Sequence, residues 1–154
     1  MKFYDWRKSL TTVNNVPLTN FAPGDDAFKV SRRVDNASDE VGVDGHMAIS
    51  LSADKSVEVT IKLQQTSPSN GYLNKITSAE DFLESFVPVT VEQADTYRLD
   101  SVGTTVGYVK KHPDYVRGAK AGVVEWVFVL ENGTFILGDP PFTGMATSLA
   151  EALG

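Results

Sequence analysis

The stretch from Val41 to Thr66, VGVDGHMAISLSADKSVEVTIKLQQT, sets the strictest condition on the fold. Met47, Ile49 and Leu51 alternate with Ala48, Ser50 and Ser52. Val57, Val59, Ile61 and Leu63 alternate with Glu58, Thr60, Lys62 and Gln64. A period of two sends one set to a core face and the other to a wetter face, which is the pattern of a half-buried strand. The polar break between them, Ala53-Asp54-Lys55-Ser56, predicts a β-hairpin with both apolar sets in the core. Its register is fixed by that pattern, because a slip of one residue would turn every core side chain outward. The polar face places Ala48, Ser50 and Ser52 opposite Glu58, Thr60, Lys62 and Gln64. That face reads either as a solvated sandwich surface, as the wall of a wet channel, or as a surface packed on a neighbouring subunit.

The rest of the chain adds strands and one helix. Residues 1–20 hold an aromatic cluster, Phe3, Tyr4 and Trp6, then LTTVNNVPLTN. They read as a strand at a sheet edge or as an arm that docks on another subunit. Pro23-Gly24-Asp25-Asp26 is a turn signal, and Phe28, Val30 and Arg32 alternate after it. Residues 35–46, DNASDEVGVDGH, predict an exposed loop between strands, with a left-handed turn at Asp44-Gly45. Residues 67–86 carry Leu73, Ile76, Phe82, Leu83 and Phe86 near helical spacing, entered at Ser67-Pro68-Ser69-Asn70. Ser78 and Asp81 have the spacing of a weak capping box, so either one kinked helix or two short ones fits. Val87, Val89 and Val91 alternate, with Pro88 limiting them to an edge or a strand start. Tyr97 and Leu99 give a short signal, and Val102 to Val109 a further strand whose glycines suggest curvature or a bulge. Val123 to Leu130 is apolar on nearly both faces, and Asn132-Gly133 predicts a tight hairpin back through Phe135, Ile136 and Leu137. The tail has a double-proline turn, and Met145 to Leu153 has helical spacing. The sum is a mainly β fold: an antiparallel sandwich or barrel-like domain with one flanking helix and long hairpins, in a single domain over residues 1–154.

Charge and composition narrow the function. The 154 residues carry a formal net charge of −6, which disfavours a protein that neutralises nucleic-acid phosphates broadly. There is no cysteine, hence no disulfide, thiolate nucleophile or cysteine-held metal. No apolar run approaches a membrane span, and the charged N-terminus does not read as a secretory signal. Asp25-Asp26 reads as turn chemistry. Asp39, Asp44 and His46 fit neither a calcium loop nor a zinc spacing. His112-Pro113-Asp114 has no associated nucleophile. No nucleophile elbow, phosphate loop or metalloprotease motif is present, so the chain reads as non-enzymatic, without metal or cofactor. The basic residues do cluster once: Lys110, Lys111, Arg117 and Lys120 are four of the chain's 14 Lys and Arg.

Several short segments then line up in order. Asp44-Gly45-His46-Met47, Lys55 to Leu63, and Gln65-Thr66-Ser67-Pro68-Ser69-Asn70 are followed by Lys110-Lys111-His112-Pro113-Asp114 and Val124-Glu125-Trp126-Val127-Phe128. Together, over residues 25–138, they resemble a family of structural proteins of contractile-tailed bacteriophages understood as tail tube proteins. The ends, residues 1–20 and those after Asp139, depart from the pattern. The resemblance implies a protomer that forms hexameric rings, which stack head to tail into a hollow tube inside a contractile sheath. It implies sheath, baseplate and tape measure proteins as partners, DNA passing through without specific binding, and residence in the virion tail after assembly in the host cytoplasm. Under it, hairpins 41–66 and 102–130 supply the lumen sheet, with Ala48, Ser50, Ser52, Glu58, Thr60, Lys62 and Gln64 facing the lumen. The loop 35–46 becomes ordered against a neighbour, with Val41 and Val43 as docking residues. Lys110, Lys111, Arg117 and Lys120 meet acidic counterparts on another copy, for which Asp39, Glu40 and Asp44 are suited. Alternatives are a tube initiator or terminator of the same fold, and a non-enzymatic β-sandwich binding module.

Overall fold

The computed structural model describes residues 4–95 and 100–137. A short 3-10 turn, Trp6–Lys8, leads into β1 (Ser9–Val13), β2 (Val16–Pro17), β3 (Phe28–Arg32), β4 (Ala37–Val41), β5 (Met47–Leu51) and β6 (Val57–Gln64). The helix α1 (Ser69–Leu83) follows, then β7 (Val91–Asp95), β8 (Ser101–Thr104), β9 (Gly107–Lys111), β10 (Val123–Leu130) and β11 (Gly133–Ile136). Two antiparallel sheets form a sandwich, one in the order β11-β8-β7-β1-β2 and the other in the order β3-β6-β10-β9. An antiparallel bridge between Val89 and Gly107 joins the two sheets at one seam. β4 and β5 form a separate two-stranded ribbon.

The alternation in β6 fixes the core. Val57, Val59, Ile61 and Leu63 are fully buried, and β10 sets Leu130, Phe128, Trp126 and Val124 beside them in register. Val13 and Val91 close the core from the other sheet, and Leu73 and Ile76 close it from α1. Full burial of each such aliphatic side chain is worth about 1.5–3 kcal/mol, so this cluster dominates the protomer's stability.

The helix is one continuous element, without a kink. The Ser67 hydroxyl accepts from the Ser69 amide at its start, and Glu84 ends it in the left-handed region at φ 53°. Ser78 and Asp81 therefore lie inside the helix and cap nothing. Tyr72 donates to the Val13 carbonyl of one sheet, while Asn70 accepts from the Trp126 indole of the other at 3.0 Å. The helix thus spans both sheets. Only its middle, Leu73, Ile76 and Thr77, is buried with Ser69; Phe82 and Leu83 stand exposed, as does Phe86 beyond it.

Three predicted pairings are replaced. β5 and β6 form no hairpin: β5 pairs with β4, whereas β6 lies between β3 and β10. Met47, Ile49 and Leu51 consequently leave the core and are 59%, 65% and 83% exposed. The segment 35–46 is not loop throughout: Ala37–Val41 form β4, and the rest is bend and turn, with Gly45 at φ 88°. Second, β10 and β11 are consecutive but belong to different sheets, because β11 pairs with β8. Gly133 does not take a positive φ. It is small for another reason: a Cβ there would meet Val57 Cγ1 at 2.6 Å. Third, 102–130 is not one hairpin, since β8 joins the five-stranded sheet and only β9 pairs with β10. A register shift does occur, but at Lys110, between Val109 opposite Phe128 and Lys111 opposite Val127, and not at the glycines. Gly107 is where a side chain would press into the β10 backbone, with Leu130 Cα at 2.6 Å from its Cβ position.

At the N-terminus, β1 lies inside its sheet, flanked by β7 and by the short β2. Asn14 and Asn15, both at positive φ, make the β1–β2 turn, a conformation asparagine tolerates better than most residues. Trp6 packs edge-on against Phe21 of its own chain, with ring centroids 5.1 Å apart. Phe3, Tyr97, Leu99, the double-proline turn and the segment Met145 to Leu153 lie outside the described residues.

Candidate assembly surfaces

The four-stranded sheet has two faces and two ends, and the assembly candidates divide among them. Its core face is apolar. Its other face carries Glu58, Thr60, Lys62 and Gln64 of β6, paired in register with Val129, Val127, Glu125 and Val123 of β10 and with Ser31 and Lys29 of β3. Ala48, Ser50 and Ser52 are not on it. Ala48 and Ser50 lie on the β4–β5 ribbon opposite Glu40 and Ser38, and Ser52 follows β5, so the seven expected lumen residues do not form one surface.

Two lysines on this sheet face are paired with carboxylates. Lys62 Nζ lies 2.8 Å from Asp26 Oδ2, and Lys110 Nζ lies 3.2 Å from Glu58 Oε2. The hydrogen bond from Lys62, then its positive charge, holds the Asp26 carboxyl below the ordinary aspartate range; the same hydrogen bond raises Lys62. With Asp26 depressed, its contribution to stability is present above the ordinary aspartate range and is lost as pH falls through the lowered folded value. With Lys62 raised, its contribution is present below the ordinary lysine range and is lost as pH rises through the higher folded value. Carboxyl-carbon titration is expected to place Asp26 below an ordinary aspartate, and Lys62→Met to return it to that range. An Asp26 curve unmoved by Lys62→Met would disprove the pairing in solution.

The two ends differ in chemistry. β3 ends and β6 begins where Arg32 pairs with Val57, and the β4–β5 ribbon springs from between them. The ribbon's strands of five residues rise about 3.3 Å per residue, so it extends about 16 Å from its root. It is exposed throughout and carries Asp39, Glu40 and Asp44. One of its faces presents Val41, Met47, Ile49 and Leu51, and Val43 at the tip is fully exposed.

At the opposite end, Val123 pairs with Gln64, and the loop 112–122 connects β9 to β10. This loop and the last residues of β9 hold the basic cluster. Lys111, Arg117 and Lys120 are exposed, as are Tyr115 and Val116 at 83% and 69%. Lys110 is the member already engaged within the chain, with Glu58. Lys111 lies 4.0 Å from Asp114, a weak surface pair. The loop is anchored rather than loose. Gln65 donates to the Val116 carbonyl and accepts from the Gly122 amide, and His112 contacts Asn74 of α1 and stacks edge-on against Trp126. An acidic, apolar ribbon and a basic, aromatic loop therefore sit at opposite ends of one sheet. The clusters are visible in sequence, but their opposition depends on strand directions that only the pairing reveals.

Among the described residues no group of three or more His, Cys, Asp or Glu side chains is placed to hold a metal ion, and no helix is long and apolar enough to cross a membrane.

This two-sheet sandwich with one spanning helix is the fold of tube and tube-terminating subunits of contractile injection systems. It is similar to the tube-terminating cap of the anti-feeding prophage, at a TM-score of 0.62 and 10% identity over 90% of this chain and 93% of that one. It is similar to the sheath/tube terminator of the PVC extracellular contractile injection system, at 0.64 and 9% over 88% and 98%. The sheath–tube complex of the same system in its extended state matches at 0.61 and 9%, over 86% and 90%. No curated protein matches the sequence. Residues 18–138 match the family model of the bacteriophage PhiTE tail tube protein, and the chain belongs to that family.

Proposed function

We propose that this protein is the repeating subunit of the inner tube of a contractile phage tail, forming hexameric rings that stack head to tail. The carrying observation is the opposition of the acidic, apolar ribbon and the basic, aromatic loop at the two ends of the four-stranded sheet. Surfaces that complement each other from opposite ends make a heterologous contact, and such a contact grows an open filament. Around the ring, β3 and β9 are the edges of that sheet. Pairing the β3 edge of one copy with the β9 edge of the next closes the sheets into a barrel and leaves no open edge.

In this reading Glu58, Thr60, Lys62 and Gln64 face the lumen. Lys62 and Lys110 are already neutralised by Asp26 and Glu58. A lumen with these two lysines paired, in a protein of net charge −6, offers passing DNA few free cations, and each phosphate contact avoided removes a salt-sensitive hold. The subunit's role is structural, in the virion tail after assembly in the host cytoplasm, and its partners are the sheath, the baseplate and the tape measure.

Negative-stain microscopy of the purified chain is expected to show hollow tubes of stacked rings. Two of the similar structures are terminators, which gives a second reading a definite signature: single rings that do not stack. A chain that stays monomeric at every concentration would refute both readings. A structure of the tube with the β6 polar side chains on its outer wall would refute the lumen assignment.

A further inference from the structure

We propose that an apolar groove at the ribbon end of the four-stranded sheet receives the Tyr115–Val116 tip of the 112–122 loop from the next copy along the stack. This rests on the tube reading and names the receptor for one of its two end surfaces. The groove has a volume of about 570 Å³. Val106, Tyr108, Val129 and Phe86 contribute to its lining, and Arg33 and Glu131 stand among them. Val129 is 5% exposed, while Phe86, Val106 and Tyr108 are 66%, 42% and 44% exposed. The groove thus has a buried floor and uncovered walls.

The occupant is a second copy for three reasons. First, the tip and the groove lie at opposite ends of one sheet: β9 runs from Gly107 at the groove to Lys111 beside the loop, and β10 runs back to Leu130 at the groove. A chain's own tip is a full strand length from its own groove, whereas a head-to-tail neighbour brings the two together. Second, the tip is preformed. Arg117 Nε donates to the Tyr115 hydroxyl at 3.1 Å, its guanidinium lies 5.8 Å from the ring centroid, and Gln65 holds the Val116 carbonyl. Less ordering is then lost on docking. An aromatic ring with a polar tip is a common anchor in such pockets. Third, the charges agree. Arg33, Asp54 and Glu131 leave the groove lining with one excess negative charge, and Arg117 arrives on the incoming tip.

The chain has no cysteine, so paired substitutions report the contact directly. Val106→Cys with Val116→Cys, assembled under reducing conditions and then treated with a mild thiol oxidant, is expected to give a ladder of covalent oligomers that runs past the hexamer. Each single variant is expected to give none. Tubes without crosslinks would overturn this docking, leave the tube reading intact, and free the groove for a different partner. A ladder that stops at the hexamer would overturn the axial placement, because the contact would then close within a ring. If the wild-type chain forms no tubes, the tube reading falls and this docking with it. Tyr115→Ala provides a second readout should the paired variant fail to assemble. Its expected effect is at least a several-fold drop in mean tube length with an unchanged melting temperature, with length restored by Tyr115→Phe. Tubes of wild-type length from Tyr115→Ala would overturn the proposal.

Discussion

Replacing Val41 and Val43 with aspartate is expected to abolish tubes while shifting the protomer's melting temperature by no more than about 4 °C. Both residues lie on the β4–β5 ribbon, exposed by 56% and 111%, and neither belongs to the protomer core. Exposed substitutions of this kind change stability by about 0.5 kcal/mol or less each, which for two in a chain of this size is about 4 °C at most. Under the proposed docking, burial of the exposed part of each valine would gain at most about 1.5–3 kcal/mol. Replacing it with a carboxylate removes that gain and adds the cost of dehydrating a charge. In a stack of rings the loss would recur at every subunit, so its effect on stacking is expected to be cooperative. Amide exchange supplies an independent check, since residues 37–47 are expected to gain protection only on assembly. Normal tubes from the double variant, or equal protection in free and assembled chains, would contradict ribbon docking. A fall of ten degrees or more would show that the ribbon supports its own protomer.

The ribbon also marks where sequence reading stopped. Val57 to Leu63 and Met47 to Leu51 show the same alternation, and the two stretches look like partners in one hairpin. Period two encodes an amphipathic strand, but it does not say which apolar surface will cover it. β6 is covered by its own chain, while the apolar face of β5 is left exposed by it. The polar break at Ala53 to Ser56 added to the error, since it reads as a turn yet carries the chain from the ribbon back to the main sheet. Asn132-Gly133 misled in a different way. The dipeptide is a strong local turn signal, but here glycine is required by the approach of Val57, and the next strand pairs in the opposite sheet. Elements whose cover comes from nearby strands and the helix were legible: β3, β6, β10 and α1 fall where their spacing predicts. The acidic and basic clusters were equally legible as composition. Their opposition was not, because it follows from the directions of β3, β6, β9 and β10 taken together.

Reversing charge at the basic end with Lys111→Glu and Arg117→Glu is expected to shorten tubes severely or prevent them, again at a nearly unchanged melting temperature. Lys110 is left intact, because it is paired with Glu58 inside the chain and its loss would confuse protomer and assembly effects. Lys111 lies only within 4.0 Å of Asp114, with side chains 73% and 82% exposed, so its reversal removes little from the protomer. An exposed pair between copies is worth about 0–1 kcal/mol, and reversal turns that attraction into a comparable repulsion. One such term would be hard to detect. Repeated around a proposed ring and along a stack, it is expected to decide whether rings add. Screening gives the dependence on salt: with a Debye length of about 10 Å at 0.1 M, wild-type tubes are expected to lengthen at low salt and the variant to recover partly at high salt. The stringent test swaps both ends. Adding Asp39→Lys and Glu40→Lys to the reversed chain restores opposite signs between the ribbon of one copy and the loop of the next, and tube length is expected to return in part, the contacts of Arg117 with Tyr115 staying lost. Recovery by the fourfold variant, with Asp39→Lys and Glu40→Lys alone defective, would establish that the two ends meet. Full-length tubes from Lys111→Glu, Arg117→Glu at low and moderate salt would show that they do not.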